Sequence, residues 1–154
     1  MKNILMLLLV FSIACTPPVK ETPEGKQLKK DIAAIDKFLK ENNVEAQKDS
    51  SGLRYVISEM GTGIKPTLAS SVTVRYVGIF LGTAKIFDKS EKPITMPLDR
   101  VINGWRIGFP LLPKGSKATF YVPSGLAYGK RGAGEGIIPP DSNLVFSVEL
   151  IDVQ

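Results

Sequence analysis

Gly125-Leu126-Ala127-Tyr128-Gly129, followed by Gly136-Ile137-Ile138-Pro139-Pro140 and Leu144-Val145-Phe146, is the stretch that decides the fold. Two isoleucines ahead of two prolines cannot be helix, because proline lacks an amide donor and drives its predecessor toward extended backbone. Nor can they lie in a central strand, where proline breaks the ladder. The segment therefore reads as a rigid apolar loop. It carries two exposed isoleucines beside a tyrosine and leads into an alternating strand, so it forms one wall of a small apolar pocket.

The strand is Leu144–Val153, with Leu144, Phe146, Val148 and Leu150 on one face. Upstream, Lys117–Val122 is another, and Val101–Phe109 is a short helix stopped by Pro110 that holds the only tryptophan, Trp105. Ile94–Leu98 is brief and irregular between Pro93 and Pro97, and Lys85–Asp88 follows a turn at Gly82. Val72–Phe80 alternates clearly, and Leu53–Ile57 precedes it. About five antiparallel strands and one short helix make an α+β domain over residues 52–154. Phe109-Pro110-Leu111-Leu112-Pro113 after the helix has no functional reading in sequence.

Composition narrows the chemistry. The chain has 154 residues and a net charge of +5, but its basic residues are interleaved with acidic ones. No concentrated stripe offers itself to nucleic acid. There is no histidine, which removes His-based triads, His metal sites and the commonest general base at neutral pH. A single cysteine allows neither an intrachain disulfide nor a thiolate cluster. The run Gly132-Ala133-Gly134-Glu135-Gly136 brushes a nucleotide-loop pattern, but prolines follow where a helix N-terminus is required. No metal and no cofactor are expected, and the glycine-rich, charged loop at 130–136 should have a mobile tip.

The N-terminus reads as an address. Lys2, the apolar run Ile4–Phe11 and the small residues before Cys15 describe a secretory signal over residues 1–14, too short to span a bilayer. Ser12-Ile13-Ala14-Cys15 resembles the lipobox of bacterial lipoproteins, which implies cleavage before Cys15 and its acylation. Ser12 departs from the aliphatic residue usual there; an ordinary signal peptide with unmodified Cys15 is the alternative. Thr16 after the cysteine resembles cargo sorted to an outer membrane, facing the periplasm. Pro17, Pro18 and Pro23 mark residues 15–25 as an extended tether. Across residues 26–43, Leu28, Ile32, Ile35 and Leu39 recur at steps of four, three and four, an amphipathic helix. So short a stripe favours packing on its own domain, hence a monomer, over a dimerising coiled coil.

Five motifs then carry a family resemblance: Val74-Arg75-Tyr76-Val77-Gly78, Ile86-Phe87-Asp88-Lys89-Ser90, Val101-Ile102-Asn103-Gly104-Trp105, Leu126-Ala127-Tyr128-Gly129, and Gly136–Pro140 with Leu144–Leu150. In order and spacing they resemble FKBP-type peptidyl-prolyl cis/trans isomerases. The resemblance implies a twisted antiparallel sheet wrapped on the short helix. It implies a pocket lined by Tyr76, Phe87, Val101, Ile102, Trp105, Tyr128, Ile137 and Phe146, floored by Trp105. Asp88 matches the polar group at the edge, and Ile102 matches the residue whose backbone N–H meets a ligand carbonyl. Ile94 and Met96 stand where the family more often has aromatics, giving a softer wall. Substrates would be proline-containing polypeptides, and macrolides such as rapamycin would be inhibitors. Taken singly, the aromatics could be core residues and Asp88 a turn cap; the motif order argues otherwise. Two rivals remain: a binding module or holdase with little turnover, and an anchored partner in an envelope assembly.

Overall fold

The structure, a computed structural model, describes residues 22–154. The expected signal, Cys15 and most of the tether lie outside the described residues. The chain opens with helix α1 (Pro23–Glu41), followed by strands β1 (Gln47–Lys48), β2 (Arg54–Glu59), β3 (Ser71–Phe80), β4 (Ile86–Lys89) and β5 (Ile94–Pro97). Helix α2 (Asn103–Gly108) and strands β6 (Lys117–Val122) and β7 (Leu144–Val153) complete it. All pairings are antiparallel, in the order β1-β2-β6-β7-β3-β4. β3 gives half of its outer edge to β4 and the other half to β5.

The fold class is α+β as expected, with seven strands rather than about five. The addition is the two-residue β1, while β4 and β5 are the short segments read from the sequence at 85–88 and 94–98. Each is too brief to show a period of two.

One face of the sheet holds the main core. Val72 and Val74 of β3, Phe120 and Val122 of β6, and Leu144 and Leu150 of β7 are fully buried there with Phe109 and Leu112. The Phe109–Pro113 segment is thus structural: Phe109–Leu111 forms a turn of 3₁₀ helix that buries Phe109 and brings Leu112 into the core. Helix α2 lies close on β6 because two glycines face it. A Cβ on Gly104 would come within 2.5 Å of a Val122 methyl, and one on Gly108 within 2.7 Å of the Phe120 ring. That close seat fixes the height of Trp105, which α2 carries.

The opposite face is covered by α1. Ile35 and Leu39 are buried against Tyr121 and Val145, with Phe38, Val56 and Ile79 around them. At about 2 kcal/mol for each large aliphatic side chain removed from water, this face is a second core. Two buried polar residues, Arg54 and Asp31, fix its register. Arg54, only 7% exposed, donates from Nε to Asp36 Oδ1 at 2.8 Å and from a terminal nitrogen to Oδ2 at 3.1 Å. Asp31, 2% exposed, accepts from Gln27 Nε2 at 2.7 Å, from the Ser124 hydroxyl at 2.5 Å and from the Ser124 amide at 3.1 Å.

The helix begins three residues earlier than the sequence suggests. Thr22 caps it, its hydroxyl accepting from the Gly25 amide at 3.1 Å, and Pro23 occupies the first turn. Proline there loses no helical hydrogen bond and its fixed φ suits the helix, so Pro23–Gly25 belong to α1 and not to a tether.

Candidate active site

The cup between α2 and the sheet is built from four aromatic rings set edge to face. Trp105 meets Tyr76 at 5.0 Å between ring centroids, Phe146 at 5.3 Å and Phe109 at 5.2 Å, with interplanar angles of 80°, 79° and 87°. Such pairs add about 0.5–1.5 kcal/mol beyond their burial and hold each ring at one angle. Above the indole opens a cavity of about 290 Å³ lined by Tyr76, Asp88, Met96, Arg100, Val101, Ile102, Trp105, Tyr128 and Phe146. That size, at the small end for ligand sites, suits one ring-sized group.

Register explains the cup. Gly78 of β3 lies opposite Phe146 of β7 on one side and Asp88 of β4 on the other. A Cβ on Gly78 would come within 2.7 Å of the Phe87 ring and 3.0 Å of the Phe146 ring. The space that a side chain would take is filled by those rings. Phe87 stands behind the lining row, 5.6 Å from Phe146 and 5.2 Å from Phe80.

The rim is polar on one side. The Tyr76 hydroxyl donates to Asp88 Oδ2 at 2.6 Å. Burial, and then that bond, push the Tyr76 phenol well above its ordinary pKa. Burial and, secondly, the Asp88 charge push Tyr128 up as well. Both hydroxyls therefore stay protonated and able to donate at neutral and mildly alkaline pH. Ile102 caps α2 with extended backbone, its carbonyl accepting from the Trp105 and Arg106 amides. Its own N–H has no partner among the described residues, nor does the buried indole N–H of Trp105. Nothing here is a nucleophile poised beside a base. Among the described residues no cluster of His, Cys, Asp and Glu could hold a metal ion.

Seven of the nine expected site residues line the cavity: Tyr76, Asp88, Val101, Ile102, Trp105, Tyr128 and Phe146. Phe87 supports it from behind, and Ile137, 59% exposed, stands outside it. Ile138 does not share that exposure; it is 6% exposed and joins the core. The loop at its tip is braced, Ala133 and Ile138 exchanging both backbone bonds at 2.9 and 3.0 Å. A Cβ on Gly132 would strike the Ile138 carbonyl. Ile137 therefore projects and Ile138 anchors, a division that two adjacent identical residues cannot reveal in sequence. Arg100 was not foreseen at the rim; its signal was its place immediately before Val101. Met96 lines the cup from β5, but Ile94, expected beside it, does not.

An antiparallel sheet closed by one short helix leaves an aromatic cup with room for one small ring. The profile of the FKBP-type peptidyl-prolyl cis-trans isomerase family matches residues 62–151, and the chain belongs to that family. A Neisseria meningitidis protein described as a probable FKBP-type peptidyl-prolyl cis-trans isomerase FkpA is 45% identical over 122 residues, covering 75% of this chain and 44% of that protein. The outer membrane protein MIP of Legionella longbeachae is 44% identical over 108 residues, 68% of this chain and 45% of that one. A peptidyl-prolyl cis-trans isomerase structure from Pseudomonas syringae superposes with a TM-score of 0.71 at 35% identity, covering 88% of this chain and 99% of that one. The chain spans less than half the length of those two curated relatives.

Proposed function

We propose that this chain is a peptidyl-prolyl cis/trans isomerase in which the Trp105-floored cup holds a prolyl ring while the preceding amide turns. Rotation about that bond faces a barrier of about 18–20 kcal/mol and takes tens to hundreds of seconds unaided. Resonance places charge on the carbonyl oxygen of the planar amide, and twisting removes it. An apolar, water-poor cup disfavours the planar state more than the twisted one, so binding energy acts on the transition state. In this reading the Ile102 N–H and the Tyr128 hydroxyl fix the peptide carbonyls. Asp88, oriented by the Tyr76 hydroxyl, supplies a fixed negative end beside the turning amide. A 10⁵-fold gain asks for about 7 kcal/mol, within reach of positioning and desolvation without proton transfer.

The observation that carries the reading is the cavity itself: ring-sized, aromatic on its floor and walls, and edged by one oriented carboxylate and a free backbone amide. A protease-coupled assay on a short X–Pro peptide tests it. Acceleration, inhibited by rapamycin with a matching change in Trp105 fluorescence, supports it; a flat rate at micromolar protein refutes it and leaves the non-catalytic binder.

We further propose that the chain works in a bacterial cell envelope on exported polypeptides, held by acyl chains on Cys15 at the outer membrane. Support comes from the lipobox-like Ser12–Cys15 and from the name of the Legionella relative, an outer membrane protein. Mass spectrometry of the mature N-terminus tests it: a triacylated cysteine is expected, and an unmodified or uncleaved terminus overturns it.

A further inference from the structure

A second cleft, of about 640 Å³, runs between α1 and the loop that carries Tyr128. It shares Tyr128 with the aromatic cup, so one side chain is the partition between them. The two sites also draw on chain neighbours, because Ile102 lines the cup and Asn103 lines the cleft. The two therefore adjoin at Tyr128 and at the start of α2.

The cleft is a fixed feature. Its far wall is α1, and the Asp31–Ser124 bonds fasten α1 to the residue that begins the Tyr128 loop. Lys130 Nζ reaches Glu24 at 3.3 Å, a second tie between the same two walls. The charged groups on it are balanced, Glu24 and Asp141 against Lys130 and Arg131, and Gln27 and Ser124 add neutral hydrogen-bonding side chains. Such a lining does not select by net charge. It suits an extended backbone, which offers a donor and an acceptor at nearly every residue and advances about 3.3 Å per residue.

We propose that this cleft receives the stretch of substrate polypeptide flanking the proline on one side, so that α1 is part of the substrate-binding surface. The proposal rests on the isomerase reading, since it takes the cup as the proline site. It deepens that reading by naming the substrate class: extended, unfolded chains several residues longer than the X–Pro unit, chosen without regard to charge. The cup alone would serve a short peptide; cup and cleft together favour a long one.

The chain offers a clean variant. Gly125 borders the cleft, its φ is not in the left-handed region, and a Cβ built on it meets nothing within 4 Å. A Cβ is therefore accepted at this edge, so Gly125→Trp sets a large side chain at the border of the cleft and Gly125→Ala a minimal one. The probes are an X–Pro tetrapeptide and peptides of about fifteen residues extended on the N-terminal or the C-terminal side of the same proline. Both kcat/KM for isomerisation and affinity, by isothermal titration calorimetry, are read for each. In the unaltered protein one extended peptide should exceed the tetrapeptide by about fivefold or more in kcat/KM and in affinity, close to 1 kcal/mol. The advantage should vary little between low and moderate salt. Gly125→Trp should reduce it below about twofold, and Gly125→Ala should retain it. Equal handling of all three peptides, or an advantage that survives Gly125→Trp, overturns the proposal. If no peptide is isomerised, the isomerase reading fails, and the affinity ratios still decide the cleft.

Discussion

The Tyr76 hydroxyl donates to the Asp88 carboxylate at 2.6 Å, joining β3 to β4 across the mouth of the cup. A hydrogen bond to a charged acceptor contributes about 1.5–3 kcal/mol, enough to hold Asp88 in one orientation at an otherwise exposed rim. The bond makes the two residues one functional unit, and their losses should not add.

Asp88→Ala should lower kcat/KM about tenfold, equivalent to about 1.4 kcal/mol. Tyr76→Phe should lower it by several-fold through the freed carboxylate, and the double variant should be little worse than Asp88→Ala. A double-mutant cycle in the coupled assay checks this. Independent, fully additive losses would remove the positioning role of Tyr76.

Tyr76 and Tyr128 are both shifted upward, chiefly by burial. A phenol whose pKa rises on folding contributes stability that is fully present below its unfolded value, near 10, and is lost as pH climbs through the folded value. Stability should therefore be insensitive to these groups from about pH 6 to 9 and fall above about pH 10. A tyrosinate absorbance titration, read beside urea midpoints at each pH, checks both. Ordinary titration of all four tyrosines near pH 10 would contradict it.

Gly104 leaves no room for a methyl against Val122. Gly104→Ala should destabilise by about 1–3 kcal/mol through overpacking. It should also weaken peptide binding, because lifting α2 lifts Trp105. Denaturant midpoints and Trp105 emission report the two effects.

Helix α1 should behave as part of the domain. Ile35→Ala removes a fully buried side chain and should cost about 2–5 kcal/mol. Asp31→Ala should cost about 1–3 kcal/mol by stranding the buried Ser124 hydroxyl, while the Ser124 amide keeps Asn143 Oδ1 as acceptor. Urea unfolding followed by far-UV circular dichroism checks both, with a single transition expected. Loss of α1 in an earlier, separate transition would show that it is only appended.

Much of this was legible beforehand because it rests on local pattern. The alternation in β3 and β7, the breaker before Pro139 and the run from Val101 to Trp105 define the sheet and the helix directly. They carry six of the nine expected residues to the cavity, and Asp88 arrives from β4. What was not legible is long-range. Asp31 sits 93 positions from Ser124 and Arg54 18 from Asp36; nothing local marks either as buried. The Tyr76–Asp88 bond depends on β3–β4 register, which a short edge strand does not announce. Pro23 was misread because proline ends a helix in its interior but starts one at its first turn.

The central claim is that a dry aromatic cup turns a prolyl amide without moving a proton. The most direct measurement is the isomerisation rate of an X–Pro tetrapeptide with this protein in H₂O and in D₂O. The account predicts strong acceleration in both solvents with a rate ratio near about 1, since no proton is in flight. No acceleration, or a ratio of about 2 or more, would contradict it.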